Sequence, residues 1–320
     1  MGSVRAVLEV LKLSSAKDLL QSLSCVNVQW YRLSTHTEVW QAYCETEVID
    51  LTDWPDNSAQ EAFRLGRLPT DTLVYVRSRI VKLISVLTLA VTKYKLKLDS
   101  GLSDKNGYCL VSRYRVICFG VQESPKVLDI NVKTGAISQL PPMRESRIYP
   151  GVLRYSCSLI YLFGGRTKVC EKLDLQSKQW KLVQGEMLEP LEALTPALHH
   201  LQVYLAGNFS VEIFHIQQET FTQLPFKLPI DWWYSLCFID KEDLVVVQSS
   251  KVSRWTIGSS EKGFRVFPQP NLGSGYYSNC PAVWCNGELY SLHNDIPDVD
   301  GVFAFSPESN ALRLVIGSLQ

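Results

Sequence analysis

Five histidines, nine cysteines and one acidic stretch are the residues of this chain whose types could do chemistry. A metal centre needs donors spaced so that they converge, as in paired Cys-x-x-Cys knuckles or two histidines one helical turn apart. His36, His199, His200, His215 and His293 have no partner at such a spacing. The cysteines (Cys25, Cys44, Cys109, Cys118, Cys157, Cys170, Cys237, Cys280 and Cys285) contain no Cys-x-x-Cys, and several sit inside apolar strand patterns. They read as small buried thiols in a reducing compartment. His293, Asp295, Asp298 and Asp300 could be imagined around calcium, but read first as a solvated acidic loop. No nucleotide loop, nucleophile elbow or His-Glu-x-x-His occurs. The expectation is a chain with no catalytic residue, metal or cofactor, and not an enzyme.

Recognition is the other chemistry on offer. Arg144, Arg147 and Tyr149 lie close together, as do Trp232 with Trp233 and Tyr276 with Tyr277, and Arg166 stands in a short basic loop. Arginine with exposed aromatics is the composition of a protein-binding hot spot. Their alternative fate is to wedge between sheets as core.

The elements that would position these residues are short strands. IYLFGG (160–165) alternates Ile160 and Leu162 with Tyr161 and Phe163, the signal of a half-buried strand, and closes on Gly164-Gly165. A glycine pair there allows backbone angles that a Cβ forbids and lets another segment pack close. From residue 73 onward such strands recur in units of four. Third strands begin at 127, 171, 212, 253 and 302, so the intervals are 44, 41, 41 and 49 residues, the period of a propeller blade. Second strands align at VICFG (116–120), IYLFGG (160–165), VYLAG (203–207), LVVVQ (244–248) and ELYSL (288–292). LVYVRS, IVKLISV and YKLKL, between 73 and 98, supply a further and less regular blade, making six. In such a ring the second-to-third loops and the links between blades emerge on one face, which collects the arginine and aromatic positions.

Residues 1–46 have a different period. Leu8, Leu11, Leu19, Leu23, Val26, Trp30 and Leu33 recur at three- and four-residue spacings, and Ser15-x-x-Asp18 and Thr35-x-x-Glu38 are helix-start signals. About three short helices are expected there, followed by an irregular connector over 47–72 and the propeller over 73–320. Lysine plus arginine equals aspartate plus glutamate, 32 each, which argues against a nucleic-acid partner. Residues 83–91 are the most apolar run but far shorter than a membrane span, so no membrane partner is expected. The amino terminus lacks a signal-peptide pattern, and a cytoplasmic or nuclear protein is expected.

Two resemblances join these parts. Residues 16–44 resemble the core of an F-box, with Asp18-Leu19, Cys25-Val26, Trp30 and Trp40 at its pattern positions. The resemblance implies a helical module that binds the Skp adaptor of a cullin-type ubiquitin ligase through Leu11, Leu19, Val26, Trp30, Leu33 and Trp40. The strand units resemble kelch repeats, most fully at 147–187, where Gly164-Gly165 is followed by Trp180. That resemblance implies a mainly β fold, a kelch-type β-propeller of six blades behind a small α-helical module. Together they imply a substrate-recognition adaptor whose propeller holds a protein substrate on Arg144, Arg147, Tyr149, Arg166, Trp232, Trp233, Tyr276 and Tyr277. The alternative is a free-standing kelch scaffold for cytoskeletal or signalling partners. Some kelch-type propellers are copper oxidases, but no such ligand set is visible in this sequence.

Overall fold

A computed structural model of the chain describes residues 72–98, 101–103, 105–112, 114–155, 159–191, 195–199, 201–207, 210–227, 235–239, 242–247, 251–259, 263–268, 282–285, 287–296, 299–309 and 311–316. The chain divides into two units, Met1–Pro69 and Thr70–Gln320. The expected helices at 1–46, with Leu11, Leu19, Val26, Trp30, Leu33 and Trp40, lie outside the described residues.

The second unit is a six-bladed β-propeller. Blade I is β1 (Thr72–Arg77), β2 (Ile80–Ser85) and β3 (Val91–Lys95). Blade II is β4 (Gly107–Ser112), β5 (Arg115–Phe119), β6 (Val127–Asn131) and β7 (Ala136–Leu140). Blade III is β8 (Gly151–Arg154), β9 (Leu159–Phe163), β10 (Glu171–Asp174) and β11 (Gln179–Leu182). Blade IV is β12 (Ala197–His199), β13 (Gln202–Gly207), β14 (Ser210–His215) and β15 (Thr220–Gln223). Blade V is β16 (Ser235–Ile239), β17 (Asp243–Val247), β18 (Lys251–Thr256) and β19 (Arg265–Pro268). Blade VI is β20 (Val283–Cys285), β21 (Glu288–Ile296), β22 (Val299–Ser306) and β23 (Ala311–Ile316). Each blade is an antiparallel meander of consecutive strands. Among the described residues there is no α-helix, only a 3-10 turn at Val121–Glu123.

The second strands differ from the half-buried expectation. In β9, Ile160, Tyr161, Leu162 and Phe163 are all at most 2 % exposed, so both faces are covered. Alternation here sorts side chains between two neighbours rather than between core and solvent. Ile160 and Leu162 pack with Ile117, Phe119 and Val127 of blade II. Tyr161 and Phe163 pack with Val203, Leu205 and Phe214 of blade IV. The same wedge recurs between blades IV and V, around Tyr204, Ala206, Leu244 and Val246. It recurs between V and VI around Val245, Val247, Phe303 and Phe305. Blade I closes the ring on blade VI, where Leu73, Tyr75 and Ile84 meet Tyr290, Leu292 and Val302.

The outer strands tell the complementary story. β7, β11, β15 and β19 are mostly exposed, as edge strands facing water on their rim must be. Trp180 on β11 is the exception with a task. Its ring meets Phe119 edge-on at 6.2 Å, and its Nε1 donates to the Pro141 carbonyl at 2.8 Å. An aromatic at the rim thereby pins blade III to the chain leaving blade II, and its polar atom is satisfied in doing so.

Candidate functional site

The face under scrutiny carries the second-to-third loops and the links between blades. The link at 141–150, which joins β7 to β8, holds three of the recognition candidates, and the structure separates them. Arg147 is 0 % exposed. Its Nη2 donates to Glu171 Oε1 at 2.7 Å and its Nη1 to the Gly164 carbonyl at 2.5 Å. This corrects its assignment to the binding face: it is a core residue. The physical reason is its buried counter-charge, since Glu171 is 1 % exposed and lies within reach of the guanidinium alone among the arginines of the link.

The glycine pair is what seats this arginine. A Cβ on Gly165, whose φ is +78°, would stand 2.9 Å from the Arg147 Cβ. A Cβ on Gly120, at φ +75°, would meet the Arg147 carbonyl oxygen at 2.5 Å. Glycines at the ends of two second strands therefore clear space for the link between them. Glu171 also accepts the Arg144 backbone N–H at 2.9 Å. Glu212, one blade on, accepts the N–H groups of Leu188 and Glu189, both at 2.9 Å. A buried third-strand glutamate thus holds the incoming link twice in succession. Burial pushes the Glu212 carboxyl above its usual range, against the opposing pull of those two N–H donors.

What remains on the surface is a polar group over blades II and III. Arg144 and Arg166 are exposed, and Tyr149 is half-buried. Tyr149 and Arg166 both hold positive φ, 53° and 72°, and the Tyr149 N–H donates to the Lys105 carbonyl at 2.7 Å. Lys105 Nζ in turn donates to Glu123 Oε1 at 2.5 Å. The Lys105 hydrogen bond and charge hold the Glu123 carboxyl below its usual range, with a smaller contribution from Arg166. The structure so brings Tyr149 and Arg166 together with Lys105 and Glu123, two residues that sequence reasoning missed. Both lie in segments that open on this face, and a search for charges as well as for arginine and aromatics would have found them. Trp232, Trp233, Tyr276 and Tyr277 lie outside the described residues.

The five described cysteines are free thiols. Burial pushes Cys109, Cys170 and Cys237 up to about 12, and Cys118 higher still, so these thiols stay protonated at neutral pH. Of the acidic stretch expected as a loop, His293 and Asp295 lie on β21 and Asp300 on β22, with a register shift between His293 and Ile296, and Asp298 lies outside the described residues. Among the described residues no three His, Cys, Asp or Glu side chains are grouped so as to hold a metal ion. Among them, too, no helix is long and apolar enough to cross a membrane.

Mainly β, six blades, one ring: the class is that of the β-propellers. No family model matches the chain, and no curated protein matches it. Among solved structures it is similar to a novel fungal alcohol oxidase with catalytic diversity among the AA5 family, in complex with copper. The two are 15% identical with a TM-score of 0.56, and the match covers 79% of this chain and 64% of that one. At that identity the likeness carries the fold alone. It nevertheless corrects the expectation that the chain is not an enzyme, because the matched propeller belongs to an oxidase and the architecture gives no ground for excluding catalysis.

Proposed function

We propose that this chain is a substrate-recognition adaptor of a cullin-type ubiquitin ligase. Residues 16–44, which resemble an F-box, hold a Skp-type adaptor through Leu11, Leu19, Val26, Trp30, Leu33 and Trp40. The kelch-type propeller holds a protein substrate on the face that carries Arg144, Tyr149 and Arg166, together with Lys105 and Glu123. Trp232, Trp233, Tyr276 and Tyr277 are the further residues proposed to contact that substrate. The work done on the substrate is proximity: one chain holding two partners raises their effective concentration.

The observation that carries this reading is the order of the two parts, an amphipathic segment with F-box spacing followed by a rigid ring. Loops on a rigid scaffold commonly carry recognition, and here buried Glu171 and Glu212 fix the links from below while charged residues stay exposed above. The test is co-purification of the full chain, and of the chain lacking residues 1–46, with a purified Skp-type adaptor. Capture by the full chain, lost on deletion and in Trp30→Ala, supports the reading. Capture by neither form sinks the ligase role and leaves the free-standing scaffold.

A further inference from the structure

Blade I is chemically unlike the protein that contains it. The chain is neutral overall, with 32 basic and 32 acidic residues. Residues 72–97 nevertheless contain Arg77, Arg79, Lys82, Lys93, Lys95 and Lys97 and no aspartate or glutamate. The blade also ends in an apolar tip. Residues 83–91, the most apolar run of the sequence, split at the β2–β3 turn. Leu83, Ile84 and Val86 go into the core, whereas Leu87, Leu89 and Val91 are 54%, 43% and 40% exposed.

The tip is an ordered turn that holds its leucines outward. The Ser85 N–H donates to the Ala90 carbonyl at 3.0 Å, and the Thr88 N–H to Ser85 Oγ at 3.4 Å. Leu89 sits at φ 56°, where glycine or asparagine would be at ease and a leucine is strained. Behind the tip, Val91, Lys93 and Lys95 share one face of β3, while Tyr94 on the other face meets Tyr114 of blade II at 6.5 Å. Lys93 pairs across the strands with Lys82, a like-charge pairing that costs stability. Lys93, Lys95 and Lys97 make no ion pair with a described residue.

We propose that the β2–β3 tip of blade I docks on an anionic lipid bilayer, with Leu87, Leu89 and Val91 entering the acyl boundary and Lys93, Lys95 and Lys97 facing the headgroups. The composition separates this partner from an acidic protein. Protein hot spots are built from tryptophan, tyrosine and arginine, with lysine depleted and leucine under-represented. This patch is leucine, valine and lysine, the pairing that interfacial membrane anchors use. The geometry fits as well. At about 3.4 Å of rise per residue, Lys93 stands roughly 7 Å behind Val91, at headgroup depth, and Lys95 falls within a Debye length of it. Too short to span a bilayer, the run is long enough to lie in its surface. The inference does not depend on the adaptor reading.

The test uses the full chain and sedimentation with vesicles of phosphatidylcholine alone or with added phosphatidylserine. Binding is expected to rise with phosphatidylserine and to weaken with salt, a titration that needs no variant. Lys93→Gln, Lys95→Gln and Lys97→Gln together should weaken it about a hundredfold, at about fivefold per lysine. Leu87→Ser with Leu89→Asn should remove the part that survives high salt, and neither set should lower the melting temperature. Equal binding to both vesicle types, or undiminished binding by the lysine variant, overturns the proposal. Capture by polyglutamate without capture by vesicles also overturns it, in favour of an acidic protein partner.

Discussion

The junctions between blades III and IV and between blades V and VI solve one problem in two ways. Both bury wedges of apolar side chains between second and third strands. At III–IV, polar contacts cross as well: Lys172 pairs with Glu219, Glu219 accepts the Gln184 N–H at 2.9 Å, and Glu212 holds the N–H groups of Leu188 and Glu189. At V–VI two ion pairs between described residues, Arg254 with Asp243 and Arg313 with Glu288, lie within their own blades. The register explains part of the difference. The third-strand position that receives the incoming link is Glu171, opposite Leu162, in blade III and Glu212, opposite Leu205, in blade IV; in blade VI the matching position, two residues before Phe305 as Glu212 is two before Phe214, is Phe303, opposite Ser291. Phe303 is buried and joins the apolar wedge with Val245 and Val247, so no carboxylate stands there to hold a link. Apolar packing closes the ring everywhere; buried carboxylates additionally decide where a link runs.

The largest expected effect tests the carboxylate side of this comparison at the II–III link, where Glu171 plays the part of Glu212, and the variant is Arg147→Met. It leaves the Glu171 carboxylate buried without its counter-charge, and a loss of about 3–5 kcal/mol in thermal or urea unfolding is expected. Adding Glu171→Met should return part of that loss, because the unpaired charge goes with it, while the Arg144 N–H stays without its acceptor. A loss under about 1 kcal/mol in the single variant would mean that the pair is not what holds the link.

That arginine also marks where sequence reading stopped. The strands were legible because their period is local: each expected third strand, from 127 to 302, falls within three residues of an observed one. Five blades followed from the same spacing, and the sixth, blade I, from the strand patterns between 73 and 98. The role of Arg147 was not legible, because its partner is 24 residues away and on another element. An arginine in a link reads as exposed until a buried acid is found beneath it. Tyr161 and Phe163 failed differently. Alternation identified their strand, but when all four residues are apolar it cannot say that both faces are covered. Lys105 and Glu123, on separate segments, give no sequence signal that they meet.

A smaller effect sets two carboxylates of the III–IV junction against each other. Burial raises Glu212, so the folded state binds its proton more tightly than the unfolded chain does. Its contribution is fully present below the ordinary glutamate value and is lost as pH rises through the raised one. For Glu219, burial pulls upward, but the Lys172 hydrogen bond and the Gln184 N–H prevail and the net shift is downward. Its contribution is present above the ordinary value and is lost as pH falls through the lowered one. Melting Glu212→Gln and Glu219→Gln beside the parent across roughly pH 3 to 7 should give opposite slopes. Relative to the parent, the first variant improves as pH rises and the second worsens, by about 1 kcal/mol or less. Slopes of the same sign would remove the distinction between the two.

The smallest expected effect is at the rim. Lys105 and Glu123 are 44% and 46% exposed, so their attraction is screened and the entropy of holding two long side chains offsets most of it. Lys105→Ala should lower the melting temperature only slightly, and by nothing measurable near 1 M salt. Arg147→Met should keep its full cost at the same salt, because no counter-ion reaches a guanidinium that is 0 % exposed. Salt therefore separates the polar contacts that build this face from those that are displayed on it. Lys105→Ala is then the variant with which to ask whether the displayed charges serve recognition, since it removes a side chain from the surface without disturbing the fold. A cost comparable to that of Arg147→Met would place Lys105 among the structural contacts instead, and the surface group over blades II and III would shrink to Arg144, Tyr149 and Arg166.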